Sequence, residues 1–183
     1  MENENVKFTR DCEVIQIPSG IRTMVRQGTN ALITQALGGT YTLVTSNGEM
    51  VRVTGRDADA IGQPVSESPA RLRSATSDPK ELEEMVWDEL RTCYDPEIPI
   101  NIADLGLVYR CEVSPLPQGD FRVEIDMTLT APACGMGDVL KAEIETKVAG
   151  LPGVKELDVQ LVLDPPWDYS MIPDAAKLTL GMM

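Results

Sequence analysis

From Phe121 to Leu129 apolar and polar side chains alternate without a fault. Phe121, Val123, Ile125, Met127 and Leu129 fall on one side, and Arg122, Glu124, Asp126 and Thr128 on the other. A period of two is the strand repeat, so the run predicts a β-strand with one face in a core and one in water. Past Leu129 the period changes. Met136, Val139, Leu140, Ile144 and Val148 recur at helical spacing, and Gly150 ends that helix. Val154 to Leu163 then predicts another strand, with Leu157, Val159, Leu161 and Leu163 inward, stopped by Asp164-Pro165-Pro166-Trp167.

Upstream, Leu107 to Val113 reads as a strand with Leu107, Tyr109, Cys111 and Val113 on its apolar face, turning through Pro115, Pro117 and Gly119. Before it lies a helix with Asp78 as N-cap, Pro79 in the first turn and Glu81 completing a capping box. Leu82, Met85, Val86, Leu90 and Cys93 share one face of that helix. The order α-β-β-α-β predicts an α+β domain over residues 78–183, a three-stranded sheet covered by helices, with a short tail helix from Pro173. Trp167 is expected to anchor the tail against its own core.

Residues 1–61 differ in kind. Short β-prone runs, Cys12 to Ile17, Thr29 to Gln35, Tyr41 to Thr45 and Glu49 to Thr54, are separated by turn residues, and Asn47-Gly48 is a strong hairpin signal. These predict a small all-β domain, a twisted barrel or meander. Cys12 alternates with Val14 and is expected in its core. Residues 62–77, rich in Ser, Pro and Ala, read as a linker that buries little.

The 183 residues carry a net charge of −13, and 80–183 hold 8 basic against 20 acidic side chains. Such a surface repels nucleic acid and anionic lipid and suits protein partners or cations. There is no leader-like apolar stretch, nor the roughly 18 continuous apolar residues of a membrane span, so a cytoplasmic protein is expected. The chain has no histidine, which removes Ser-His-Asp, Cys-His and His-metal chemistry. Its four cysteines, Cys12, Cys93, Cys111 and Cys134, form no CxxC pair, so reduced thiols are expected and a closed zinc site is not.

Thr130-Ala131-Pro132-Ala133-Cys134-Gly135-Met136-Gly137 joins the end of a strand to the start of a helix. Free backbone N–H groups and the positive end of the helix dipole favour a thiolate there, making Cys134 a better nucleophile and metal ligand. The alternative is a half-buried structural thiol at a strand–helix junction. Asp95, Glu97 and Asp104 border a loop that could approach this junction. They are either ordinary turn residues or a source of hard oxygen ligands for iron.

The stretches DPEIPINIADLGLVY, MTLTAPACGMG and DPPWDYSMIPDAAKLTLGM resemble successive motifs of the SufT family, whose small domain is shared with PaaD proteins and cytosolic iron–sulfur targeting factors. RDCEVIQIPSG with ITQALGGTYTL is similar to the extra N-terminal part of SufT proteins. The resemblance implies an auxiliary, non-enzymatic role in maturing iron–sulfur proteins. Its motif positions fall on Asp95, Glu97, Asp104, Gly106, Thr130, Pro132 and Cys134. Gly135 departs from the pattern, since many relatives carry proline there.

The resemblance further implies no tightly bound cofactor but transient contact of Cys134 with an iron–sulfur cluster or iron. Assembly or carrier proteins and apo-clients would be the partners. One thiolate cannot supply the four protein ligands a cluster usually has, so the rest must come from a second subunit, as in a homo-oligomer, a partner or a small thiol. Two other readings remain: a cysteine-based thiol enzyme, and an adaptor that never touches the cluster. The first lacks an imidazole, a resolving cysteine and a cofactor loop; the second would leave Cys134 structural.

Overall fold

The structure is a computed structural model that describes residues 4–66, 68, 70, 72–95, 98, 100–131 and 136–179. It is mixed α+β, with a large antiparallel sheet, a small three-stranded sheet and a helix between them.

The large sheet holds β1 (Glu4–Lys7), β2 (Cys12–Ile17), β3 (Arg22–Val25), β4 (Asn30–Leu37), β5 (Thr40–Thr45) and β6 (Met50–Val53) in the order β1-β4-β5-β6-β2-β3. It is therefore neither a closed barrel nor a simple meander. Its two outermost strands, β1 and β3, were not read from the sequence. Both are four residues long and largely exposed, so neither carries a clear period-two signal. The hairpin between β5 and β6 also differs from expectation. Only Gly48 takes a positive φ, Gly48 N–H donates to the Thr45 carbonyl and Thr45 N–H to that of Glu49, which is a type I turn closed by a glycine bulge. One face of the sheet, with Phe8, Cys12, Val14, Leu43, Val51 and Val53, closes over its own core with Ile61 of the 3-10 helix Gly55–Ile61.

The second half begins with α1 (Pro79–Leu90). Asp78 caps it, its carboxylate accepting from Lys80 N–H at 2.9 Å. The expected reciprocal bond from Asp78 N–H goes not to Glu81 but to the Thr76 hydroxyl, which in turn bonds Glu81. Leu82, Met85, Val86, Leu90 and Cys93 are all fully buried. Strands β7 (Val108–Pro115), β8 (Phe121–Met127) and β9 (Val154–Leu161) form the small sheet, and α2 (Gly137–Val148) crosses from β8 to the parallel β9.

The apolar side of β8 is buried along its whole length, from Phe121 to Leu129. The other face of the sheet is not covered; Arg110 there pairs with Asp126 at 2.9 Å. Two expectations fail at the outer strands. Past a bulge at Tyr109, Cys111 and Val113 keep their inward alternation and pack against the core, but β7 is an edge strand and Cys111 is half-buried rather than fully buried. Leu161 and Leu163 stand 39% and 48% exposed, Leu161 at the end of the edge strand β9 and Leu163 just beyond it.

In the segment read as a linker, Ala70 is buried in the larger core and the Ser68 hydroxyl bonds Glu89. The tail packs on its own half: Ile172 and Ala176 enter the core, α3 (Asp174–Thr179) follows, and Trp167 Nε1–H donates to the Leu105 carbonyl at 2.9 Å. No described helix is long and apolar enough to cross a membrane.

Candidate functional site

The acidic loop departs at Cys93, three residues past the end of α1, and returns at Ile102, whose N–H donates to the Cys93 carbonyl at 2.9 Å. Inside this excursion Asp95 is 2% exposed. Its Oδ1 accepts from Ile98 N–H at 2.9 Å, and its Oδ2 accepts from the Thr130 hydroxyl at 3.1 Å. A buried carboxylate needs such donors, and the second one crosses from the loop to the end of β8. Of the residues expected at the site, Asp95 and Thr130 are therefore brought into direct contact.

Asp104 is exposed and engaged elsewhere. It exchanges two hydrogen bonds with Asn101, from Asn101 Nδ2 to Asp104 Oδ2 and from Asp104 N–H to Asn101 Oδ1, each 2.8 Å. That clasp folds the turn leading into Gly106, where φ is +70° and an added Cβ would stand 2.6 Å from the Met171 carbonyl oxygen. Glycine is needed there on both counts. The tail thus lies against the loop, and the Tyr109 hydroxyl donates to the Pro165 carbonyl at 2.8 Å beside it. Glu97, Pro132, Cys134 and Gly135, also expected at the site, lie outside the described residues.

The three described cysteines are free thiols unsuited to reaction. Burial pushes Cys12 up to about 11, and Cys93 and Cys111 up to about 12. Among the described residues, no group of three or more Cys, Asp and Glu side chains is placed to hold a metal ion.

What the sequence reading missed is the second buried face of α2. Leu140, Ile144 and Val148 face the small sheet, whereas Val139, Ala142, Glu143 and Lys147 face the large one. Glu143, 1% exposed, pairs with Arg52 of β6 and with Lys147 Nζ at 3.0 Å, and accepts from the Thr40 hydroxyl at 2.9 Å. Burial opposes its charge, yet Lys147 and Arg52 prevail and hold the carboxyl below the usual range. Val139, Glu143 and Lys147 recur every four residues on one side of the helix, but a Glu and a Lys at that spacing read along the sequence as a solvated ion pair.

The iron–sulfur cluster assembly protein family model matches residues 83–160. A Porphyromonas gingivalis protein named Fe-S protein maturation auxiliary factor is 40% identical over 103 residues, 56% of this chain and 94% of that one. The Bacillus subtilis factor YitW, of the same description, is 34% identical over 55% of this chain and 95% of its own. The Staphylococcus aureus factor SufT is 36% identical over 48% of this chain and 96% of its own. Each relative is spanned almost whole by about half of this chain.

Proposed function

This chain belongs to the iron–sulfur cluster assembly protein family, and we propose that it acts as an auxiliary, non-enzymatic factor in iron–sulfur protein maturation, helping clusters reach apo-proteins through Cys134. The observation that carries this reading is the Asp95–Thr130 hydrogen bond. It ties Asp95, where the acidic loop begins, to Thr130, four residues before Cys134 in the chain, which supports reading the two motifs as parts of one site.

Asp95 is buried and accepts from Ile98 N–H and the Thr130 hydroxyl, which suits a residue that shapes the site rather than one that ligates. Glu97 and the exposed Asp104 are the carboxylates offered to a client or carrier. Cys134 precedes α2 by three residues in the chain, and a thiol lying against a helix N-terminus is favoured as the thiolate. One thiolate supplies one ligand. The cluster is cargo, held jointly with an assembly or carrier protein or an apo-client and then released.

The test is Cys134→Ser in cells grown under high iron–sulfur demand. Iron–sulfur enzyme activities should fall while the abundance of the variant stays at the wild-type level. Unchanged activities overturn the reading. Anaerobic absorption spectra after incubation with iron and sulfide, compared between the two proteins, report whether the cargo touches this thiol.

A further inference from the structure

Where the large sheet meets the flank of α2 there is a cleft of about 310 Å³, and three arginines line it. Arg22 comes from β3, Arg52 from β6 and Arg56 from the 3-10 helix that follows β6. Thr146 forms the side that belongs to α2. In a chain of net charge −13, three guanidinium groups around one cleft run against the character of the whole. All three also lie outside residues 83–160, the part that matches the family model.

The carboxylates that line the cleft are already engaged. Asp57 accepts from Arg10 Nη2 at 2.9 Å and from the Thr54 hydroxyl at 3.2 Å, and Glu13 pairs with Arg22 at 3.5 Å. The donors are not. The Arg56 side chain makes no hydrogen bond or ion pair among the described residues. Arg52, its side chain 5% exposed, is engaged through Nη1 alone, on Glu143. Its Nε is buried and has no hydrogen-bond partner among the described residues. Nε and Nη2 form one edge of the guanidinium plane, the fork that meets two oxygens of a carboxylate or a phosphate. A buried N–H left unmet loses its hydration without compensation, so this edge is what an acceptor from outside would complete. A cation brings no acceptor and meets three like charges.

We propose that this cleft binds a small oxyanion, a phosphate or carboxylate group, clamped by the free edge of Arg52 and by Arg56, with Arg22 beside them. Arg22 also reaches the Thr146 hydroxyl of α2 at 2.8 Å, so an anion held here braces the large sheet against the helix. The proposal does not involve Cys134 and is independent of the function proposed through it.

In the experiment the full chain is titrated with sodium phosphate and with succinate to about 20 mM, enough to fill a millimolar site, at an ionic strength held constant with chloride. Heat of binding and urea midpoint are both followed. Wild type should bind at least one probe saturably and gain in midpoint, and the probe that binds tells phosphate from carboxylate. Arg56→Gln alters an exposed, unpaired side chain, and Arg52→Lys keeps the charge beside Glu143 but lacks the fork. Each should weaken that binding about tenfold while its circular dichroism stays that of wild type. Should Arg52→Lys not fold, Arg56→Gln decides. No saturable binding of either probe, or binding unchanged in Arg56→Gln, overturns the proposal and leaves the proposed function standing. Normal iron–sulfur enzyme activity with Cys134→Ser overturns that function and leaves the anion site intact.

Discussion

Glu143 on α2 and Arg52 on β6 form an ion pair between the two halves of the molecule, with side chains 1% and 5% exposed. Removing one partner of such a pair leaves a buried charge short of compensation. Arg52→Met should therefore cost about 3 kcal/mol in urea unfolding, since Lys147 and Thr40 still serve Glu143. Arg22→Ala removes a contact across the same interface, to the Thr146 hydroxyl at 2.8 Å, but its side chain is 46% exposed. That variant should lose less than about 1 kcal/mol.

The same network makes a pH prediction of definite sign. Glu143 is held below its ordinary 4.5, so its contribution is present above that value and lost as pH falls through the lower folded one. For Lys147, burial lowers the value but Glu143 outweighs it, raising it above 10.5, so its contribution is present below 10.5 and lost as pH rises through the higher folded one. The stability difference between wild type and Glu143→Gln should be flat from about pH 5 to about pH 10 and shrink on either side. Urea unfolding across this range measures it.

Thr130 donates to a carboxylate that is almost fully buried. Thr130→Val deletes a donor to a charged acceptor and should cost about 2 kcal/mol, while Thr130→Ser, which keeps the hydroxyl, should stay within about 0.5 kcal/mol. Denaturant midpoints distinguish the two.

Gly106 and Gly119 both have positive φ, +70° and +83°, but only Gly106 has a neighbour in the way, the Met171 carbonyl. Alanine at 119 should cost the conformational strain alone, about 1 kcal/mol. Gly106→Ala should cost clearly more and shift tryptophan fluorescence as the tail that carries Trp167 loosens.

Cys12 and Cys93 are 1% and 0% exposed, with thiols pushed up to about 11 and about 12. In native protein at about pH 8 both should resist iodoacetamide and become reactive on unfolding, with the half-buried Cys111 also slow. Peptide mass spectrometry before and after denaturation checks this.

Elements whose pattern answers to a single neighbour were legible in the sequence. Strand β8 alternates faultlessly because one face is core and the other water, and α1 presents one buried stripe. Elements that meet two neighbours, or half of one, were not. Helix α2 is buried on both flanks, so Glu143 and Lys147 look like solvated charges until Arg52, Thr40 and the Gly38 carbonyl are brought to them. Edge strands β1 and β3 satisfy one neighbour only, and β9 alternates like a core strand although Leu161 is exposed.

At the site the division is similar. Asp95, Asp104, Gly106 and Thr130 could be singled out by motif, but not that Asp95 would reach Thr130 while Asp104 turned to Asn101. By itself the sequence determined the local periods, the caps and the kinds of chemistry open to a chain without histidine, because these depend on neighbours along the backbone. Only the tertiary structure decided which buried charges meet and that the N-terminal sheet holds α2. Those contacts join residues far apart in the chain, such as Arg52 and Glu143, and depend on how two separately patterned halves pack.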